Sequence, residues 1–297
     1  ELGNLMQLTT LFLWNNTLSG TIPSELGKLT LMMNLDLSSN QLVGTIPKEL
    51  GDLMQLGTLY LWNNTLTGTM PTEFGKLTQL TDLQTNNNQL NGTIPSELGH
   101  LIKLTTLFLG NNTLTGTIPS ELGKLAEIAN LRLPINQLYG TIPTELGNLM
   151  QLSTLYLWNN SLSGNIPSEL GKLTQMMDLE LNNNQLNGTL PRDLGNLMQL
   201  ATLYLHNNTL TGEIPSEIGK LTQLTKLDLS FNQLNGIAPS ELNLLPNLQF
   251  IIVSGNNKLS GNLTFLCENG NHSVYTNDTI ANASCLCCNI DYFEIIW

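Results

Sequence analysis

The chain has 297 residues, a formal net charge of −12 and a pI of about 4.5. That acidity argues against phosphate backbones and anionic membranes, so no nucleic acid partner is expected. No run of 18 apolar residues occurs, so no membrane span is expected in this segment.

Glu1-Leu2-Gly3-Asn4-Leu5 reads as the back end of a repeat, so further sequence is expected before residue 1. Residues 1–7 are accordingly the tail of an incomplete unit. From Leu8 onward the chain is a 24-residue unit written repeatedly, opening at Leu8, Met32, Leu56, Leu80, Leu104, Ile128, Leu152, Met176, Leu200, Leu224 and Leu248. Self-similarity at a fixed period of this length marks a stacked solenoid. Residues 8–263 therefore form a solenoid of about eleven repeats, and residues 264–297 a terminal cap.

Within the copy Leu56 to Gln79, Leu59 and Leu61 alternate with Tyr60, the period-2 pattern of a short strand with one buried face. Asn64 closes that strand. Its column (Asn16, Asn40, Asn64, Asn88, Asn112, Asn136, Asn160, Asn184, Asn208, Asn232) runs through ten copies. A buried amide is costly unless bonded, so a ladder of asparagines bonding the backbone is expected. Gly68 permits a conformation or a close approach that a Cβ would forbid. Pro71 fixes φ, and Thr72-Glu73-Phe74-Gly75 reads as a capped helical turn with acid at its start and glycine at its end. Successive copies alternate between LYLWNN-like and LDLSSN-like strands, so the true sequence period is 48.

The pattern LxxLxLxxNxLxGxIPxxLGxLxx, with Gly68 and Pro71 in its LxGxIP segment, resembles the plant-type leucine-rich repeat. That subfamily occurs in receptor-like kinase ectodomains and polygalacturonase inhibitors. The resemblance implies an α/β-type solenoid, a right-handed leucine-rich repeat superhelix with a concave parallel β-sheet. Short second strands and 3-10 turns are expected on the convex side.

After Leu248 the register degrades, and Asn243 stands where glycine belongs. Cys267, Cys285, Cys287 and Cys288 are the chain's four cysteines. Adjacent Cys287 and Cys288 suit one tetrahedral zinc poorly, so disulfides are expected instead, Cys267 pairing into the 285–288 cluster. The remaining two bond together or elsewhere. This ending is similar to cysteine-rich caps of leucine-rich repeat proteins from diatoms and related algae.

Glycosylation sequons stand at Asn15, Asn63, Asn91, Asn111, Asn159, Asn187, Asn207, Asn262, Asn271, Asn277 and Asn282. Together with the cysteines they imply a secreted or cell-surface protein.

No P-loop, HExxH or GxSxG occurs, and His100, His206 and His272 lack metal-ligand spacing. Neither catalysis, cofactor nor metal is expected. The strand face offers Phe12, Trp14, Tyr60, Trp62, Phe108, Tyr156, Trp158, Tyr204 and His206 to solvent. Among them lie Asp36, Asp82, Gln84, Arg132, Asp178, Glu180, Lys226 and Asp228. Flat rings stack and polar groups select, so this face is expected to bind a protein, peptide or glycan. Stacking of the rings as a stabilising ridge is the alternative use of the same residues.

Two further readings follow. Near-identical repeats suit a matrix or filament component that self-assembles through its solenoid. Threonine columns such as Thr65-Leu66-Thr67-Gly68-Thr69 can match an ice lattice, and some plant leucine-rich repeat proteins are antifreezes. Val43, Tyr139, Asn165, Glu213 and Ile237 interrupt those columns.

Overall fold

The computed structural model describes residues 5–261 and the strand Ser273–Tyr275. The four cysteines, the sequons at Asn262, Asn271, Asn277 and Asn282, and nearly all of the expected cap lie outside the described residues. The chain divides into two compact units, residues 1–162 and 163–297.

In the first unit seven parallel strands form a stacked sheet: Thr10–Phe12, Asn34–Asp36, Thr58–Tyr60, Asp82–Gln84, Thr106–Phe108, Asn130–Arg132 and Thr154–Tyr156. Each pairs with the next at a step of one repeat, Leu35 opposite Leu59 and Leu59 opposite Leu83. This register aligns one leucine of every strand in a single column that is buried from Leu35 onward, Leu35, Leu59, Leu83 and Leu107 being at most 1% exposed. Burying each such side chain stabilises the stack by about 1.5–3 kcal/mol before ordering entropy is subtracted. Second strands of three or five residues, Ser19–Thr21, Gln41–Thr45, Thr65–Thr69 and Gln89–Asn91, form a separate parallel sheet. Five-residue 3-10 turns complete each coil, as at Thr72–Lys76. The second unit repeats the scheme with Asp178–Glu180, Thr202–Tyr204, Lys226–Asp228, Phe250–Ile252 and Ser273–Tyr275.

The asparagine ladder is buried and bonded. Asn64 accepts from the Leu42 N–H at 3.0 Å and donates to the carbonyls of Leu37 at 3.0 Å and Leu61 at 3.1 Å. One amide thus ties its own coil to the preceding one. Asn256 makes the same bonds, to Leu229 O at 3.0 Å and Val253 O at 2.9 Å, and so extends the ladder beyond Asn232. This coil carries one residue more than the others, and it falls between Asn256 and Leu259, after the ladder position.

The turn differs from the sequence reading. No side chain caps it, because Pro71 holds the N-cap position; the Thr72 hydroxyl reaches only Glu73 at 3.4 Å. Gly75 does not end the turn either. It sits inside, where an added Cβ would lie 2.7 Å from both the Cβ and the carbonyl oxygen of Glu97 in the next coil. Close coil stacking, rather than helix termination, requires glycine there. Gly68 meets both demands, with φ +75 and the Thr45 methyl 2.7 Å from where its Cβ would stand.

Candidate functional site

Alternation along the first strands presents the side chains flanking each buried leucine on the opposite face. Leu59 and Leu61 are fully buried, whereas Tyr60 and Trp62 are half-buried. Phe108, Tyr156 and Trp158 are likewise half-buried, and Phe12 and Trp14 are more than half exposed. The first unit therefore carries seven of the nine sequence-selected residues on one face. Tyr204 and His206 occupy the equivalent positions in the second unit.

The rings of the first unit alternate with polar side chains from the intervening coils. Asn34 faces Thr58, and the Thr58 hydroxyl donates to Asn34 Oδ1 at 2.9 Å. Tyr60 donates its hydroxyl to Asp82 Oδ2 at 3.0 Å, while Gln84 Nε2 donates to Asp82 Oδ1 at 3.0 Å. Burial and the neighbouring Asp82 carboxylate push the Tyr60 phenol up to about 12. Burial also raises the Asp82 carboxyl, against the hydrogen bonds from Gln84 and Tyr60, which lower it.

Arg132 is the feature that sequence pattern did not reveal. Its guanidinium carbon lies 4.6 Å from the Phe108 ring centroid and 4.8 Å from that of Tyr156. The cation is sandwiched by rings from the coils on either side, and its buried Nε has no hydrogen-bond acceptor. Strand register brings these residues together, since Arg132 pairs with both Phe108 and Tyr156. At this point the rings do not stack on each other directly but form a ring–cation–ring stack.

In the second unit Tyr204 meets His206 edge-on at 6.0 Å and Phe250 at 6.2 Å. His206 Nδ1 lies 3.2 Å from Asp228 Oδ2, close enough for an ion pair but without hydrogen-bond alignment. Burial lowers the His206 pKa, and Asp228 opposes that shift. Asp228 is held in turn by the Ser230 hydroxyl at 2.6 Å and the Ser230 N–H at 2.9 Å.

All seven described sequons, at Asn15, Asn63, Asn91, Asn111, Asn159, Asn187 and Asn207, are exposed. Five of them (15, 63, 111, 159 and 207) have positive φ, between 52° and 55°. Asparagine tolerates this region; Ile135 and Phe231 occupy it at φ 51°, where a β-branched or bulky residue is unusual. Thr65 lies exposed on a second strand, and Val43 and Tyr139 are exposed in the register that Thr67 and Thr115 hold in other coils.

Among the described residues no group of three or more His, Cys, Asp or Glu is placed to hold a metal ion. No helix is long and apolar enough to cross a membrane among those same residues.

Family profiles match as a leucine-rich repeat region over residues 1–139 and as leucine-rich repeats over 151–173, 175–197 and 199–259. Among solved structures, a plant peptide hormone receptor, RGFR1, in complex with RGF2 is 36% identical with a TM-score of 0.90. The alignment covers 93% of this chain and 44% of that one. The Arabidopsis receptor kinase HAESA, in complex with the peptide hormone IDA and the co-receptor SERK1, is 33% identical with a TM-score of 0.83, covering 93% and 48%. A plant ice-binding protein is 31% identical with a TM-score of 0.69, covering 79% and 76%. The chain spans less than half the length of the two receptor structures. Comparison with curated protein sequences returns no match.

Proposed function

Since the chain belongs to the leucine-rich repeat family, we propose that it is an extracellular recognition module that holds an extended peptide on its long-sheet face. The observation that carries this reading is the alternation of rings with Asp82, Gln84 and Arg132 on the first unit's strands. Rings give contact area and fixed polar groups give selectivity. Arg132 is held by Phe108 and Tyr156, with its Nε left without an acceptor. The contact set is Phe12, Trp14, Tyr60, Trp62, Phe108, Tyr156 and Trp158, with Tyr204 and His206 serving the second unit. Two similar structures are plant receptors, named as complexes with RGF2 and with the peptide hormone IDA. The exposed sequons support a secreted or cell-surface location. The role is binding, not catalysis.

Selection from a displayed peptide library on the intact protein tests the proposal. Selected peptides should lose at least tenfold in affinity on Trp62→Ser/Trp158→Ser while the melting temperature barely moves. Peptides that bind the double variant equally well would place recognition elsewhere.

Ice binding is the second reading, favoured by the similarity to the plant ice-binding protein over 79% of this chain. It requires thermal hysteresis in freezing assays, and ice growth indifferent to the protein eliminates it.

A further inference from the structure

Away from the long-sheet face, the first unit carries a groove that the recognition reading leaves unused. Two stretches of it, each about 920 Å³, share Thr69, Met70 and Thr72 and so run together from Thr21 to Glu145. Its construction repeats coil by coil. The floor is the isoleucine column, from Ile22 to Ile142 with Met70 at one coil, each 2–4% exposed. One wall is the threonine column Thr21, Thr45, Thr69, Thr93, Thr117 and Thr141, all exposed. The methyls of these threonines are turned against the next coil, where Thr45 Cγ2 would meet a Gly68 Cβ at 2.7 Å and Thr93 Cγ2 a Gly116 Cβ at 2.7 Å.

The other wall is acidic. Glu25, Glu49, Glu73, Glu97, Glu121 and Glu145 open successive 3-10 turns along the groove, and among the described residues Lys48 is the only cation lining it. Glu49, Glu73, Glu97 and Glu121 are half-buried. Lys28, Lys76 and Lys124 close the same turns, yet the ion pair formed there among the described residues is Lys76 with Asp52, at 3.6 Å. None of the six glutamates has an ion-pair partner within 4.0 Å among those residues. A coil step of about 4.8 Å stacks like charges well inside a Debye length of about 10 Å. In the second unit the column keeps only Thr189, with Asn165, Glu213 and Ile237 at its other described positions, and Arg192 enters the turn.

We propose that this groove is a second binding site, for an extended cationic polypeptide whose basic side chains neutralise the glutamate row. Backbone amides and carbonyls of the occupant meet the threonine hydroxyls, and its aliphatic stems lie over isoleucine and proline. Five coil steps span roughly 24 Å, the reach of about seven extended residues.

Titration with heptalysine at low salt tests this, with hepta-glutamate, a neutral Gly-Ser heptamer and spermine as comparison probes. Heptalysine should bind at least tenfold more tightly than the other three. Glu73→Gln/Glu97→Gln/Glu121→Gln should weaken it at least tenfold and flatten its salt dependence. Asp36→Asn/Asp82→Asn/Glu127→Gln, which removes equal charge elsewhere, should change it less than threefold. Lys48→Glu should tighten binding, and Trp62→Ser/Trp158→Ser should leave it unchanged, so this site and the long-sheet face fail separately. Equal losses in the two triple variants, spermine matching heptalysine, or weaker binding by the Lys48 variant would each overturn the proposal.

Discussion

The guanidinium carbon of Arg132 stands 4.6 Å from the centre of the Phe108 ring, one coil earlier in the stack. Tyr156, one coil later, holds the other side at 4.8 Å. Partly desolvated cation–ring contacts contribute about 0.5–2 kcal/mol. Arg132→Ala is therefore expected to lower unfolding free energy by about 1–2 kcal/mol in urea titrations. Arg132→Lys should recover only part of that, because an ammonium lacks the flat face that two rings can sandwich.

Asn112 joins the backbone of its own coil to that of the preceding one through one amide. It accepts from Leu90 N–H at 2.9 Å and donates to Thr85 O and Leu109 O, each at 3.1 Å. Asn112→Leu leaves the Leu90 N–H unpaired inside the stack and takes one donor from each carbonyl, which keep Asn88 and Asn136, and should cost about 1–3 kcal/mol. A melting temperature unchanged within error would mean that water takes over the amide's bonds.

Gly75 and Thr72 share one turn but should respond very unequally. Gly75→Ala drives a Cβ against the backbone and Cβ of Glu97, which forces the coils apart at about 1–3 kcal/mol. Thr72→Ala removes only a 3.4 Å contact to Glu73 from an exposed site and should stay within about 0.5 kcal/mol. Chemical denaturation of the two variants side by side checks the order.

His206 makes stability depend on pH. Burial depresses its folded-state pKa below the ordinary 6.5, so the unfolded chain takes up a proton first as pH falls. The unfolded state then binds more protons, and stability declines as pH drops below about 6.5. His206→Asn, which does not titrate, should show a shallower decline than the parent between pH 7 and pH 5. Parallel curves for the two proteins would remove His206 as the cause.

Much of the fold was legible because a solenoid repeats its instructions. Leu59 and Leu61 gave away both strand and buried face through period-2 alternation, and LxGxIP marked the second strand. What escaped was contact between coils. Gly75 looked like a helix stop because a single unit does not show Glu97 pressing on it. The positive-φ position at Asn63 was hidden behind its sequon, since asparagine serves both. Arg132 read as one polar residue among several, because its sandwich depends on rings 24 residues away on either side. The aromatic face itself was legible in outline. Its half-buried packing was not, because exposure is set by neighbours one coil removed.

Hydrogen–deuterium exchange of the intact protein, with and without a library-selected peptide, tests the recognition reading most directly. Bound peptide should slow exchange along Thr58–Tyr60, Thr106–Phe108 and Thr154–Tyr156 and the residues just after them, and Trp62→Ser/Trp158→Ser should abolish that protection. Protection confined to the second strands or the 3-10 turns, with those three strands unchanged, would contradict it.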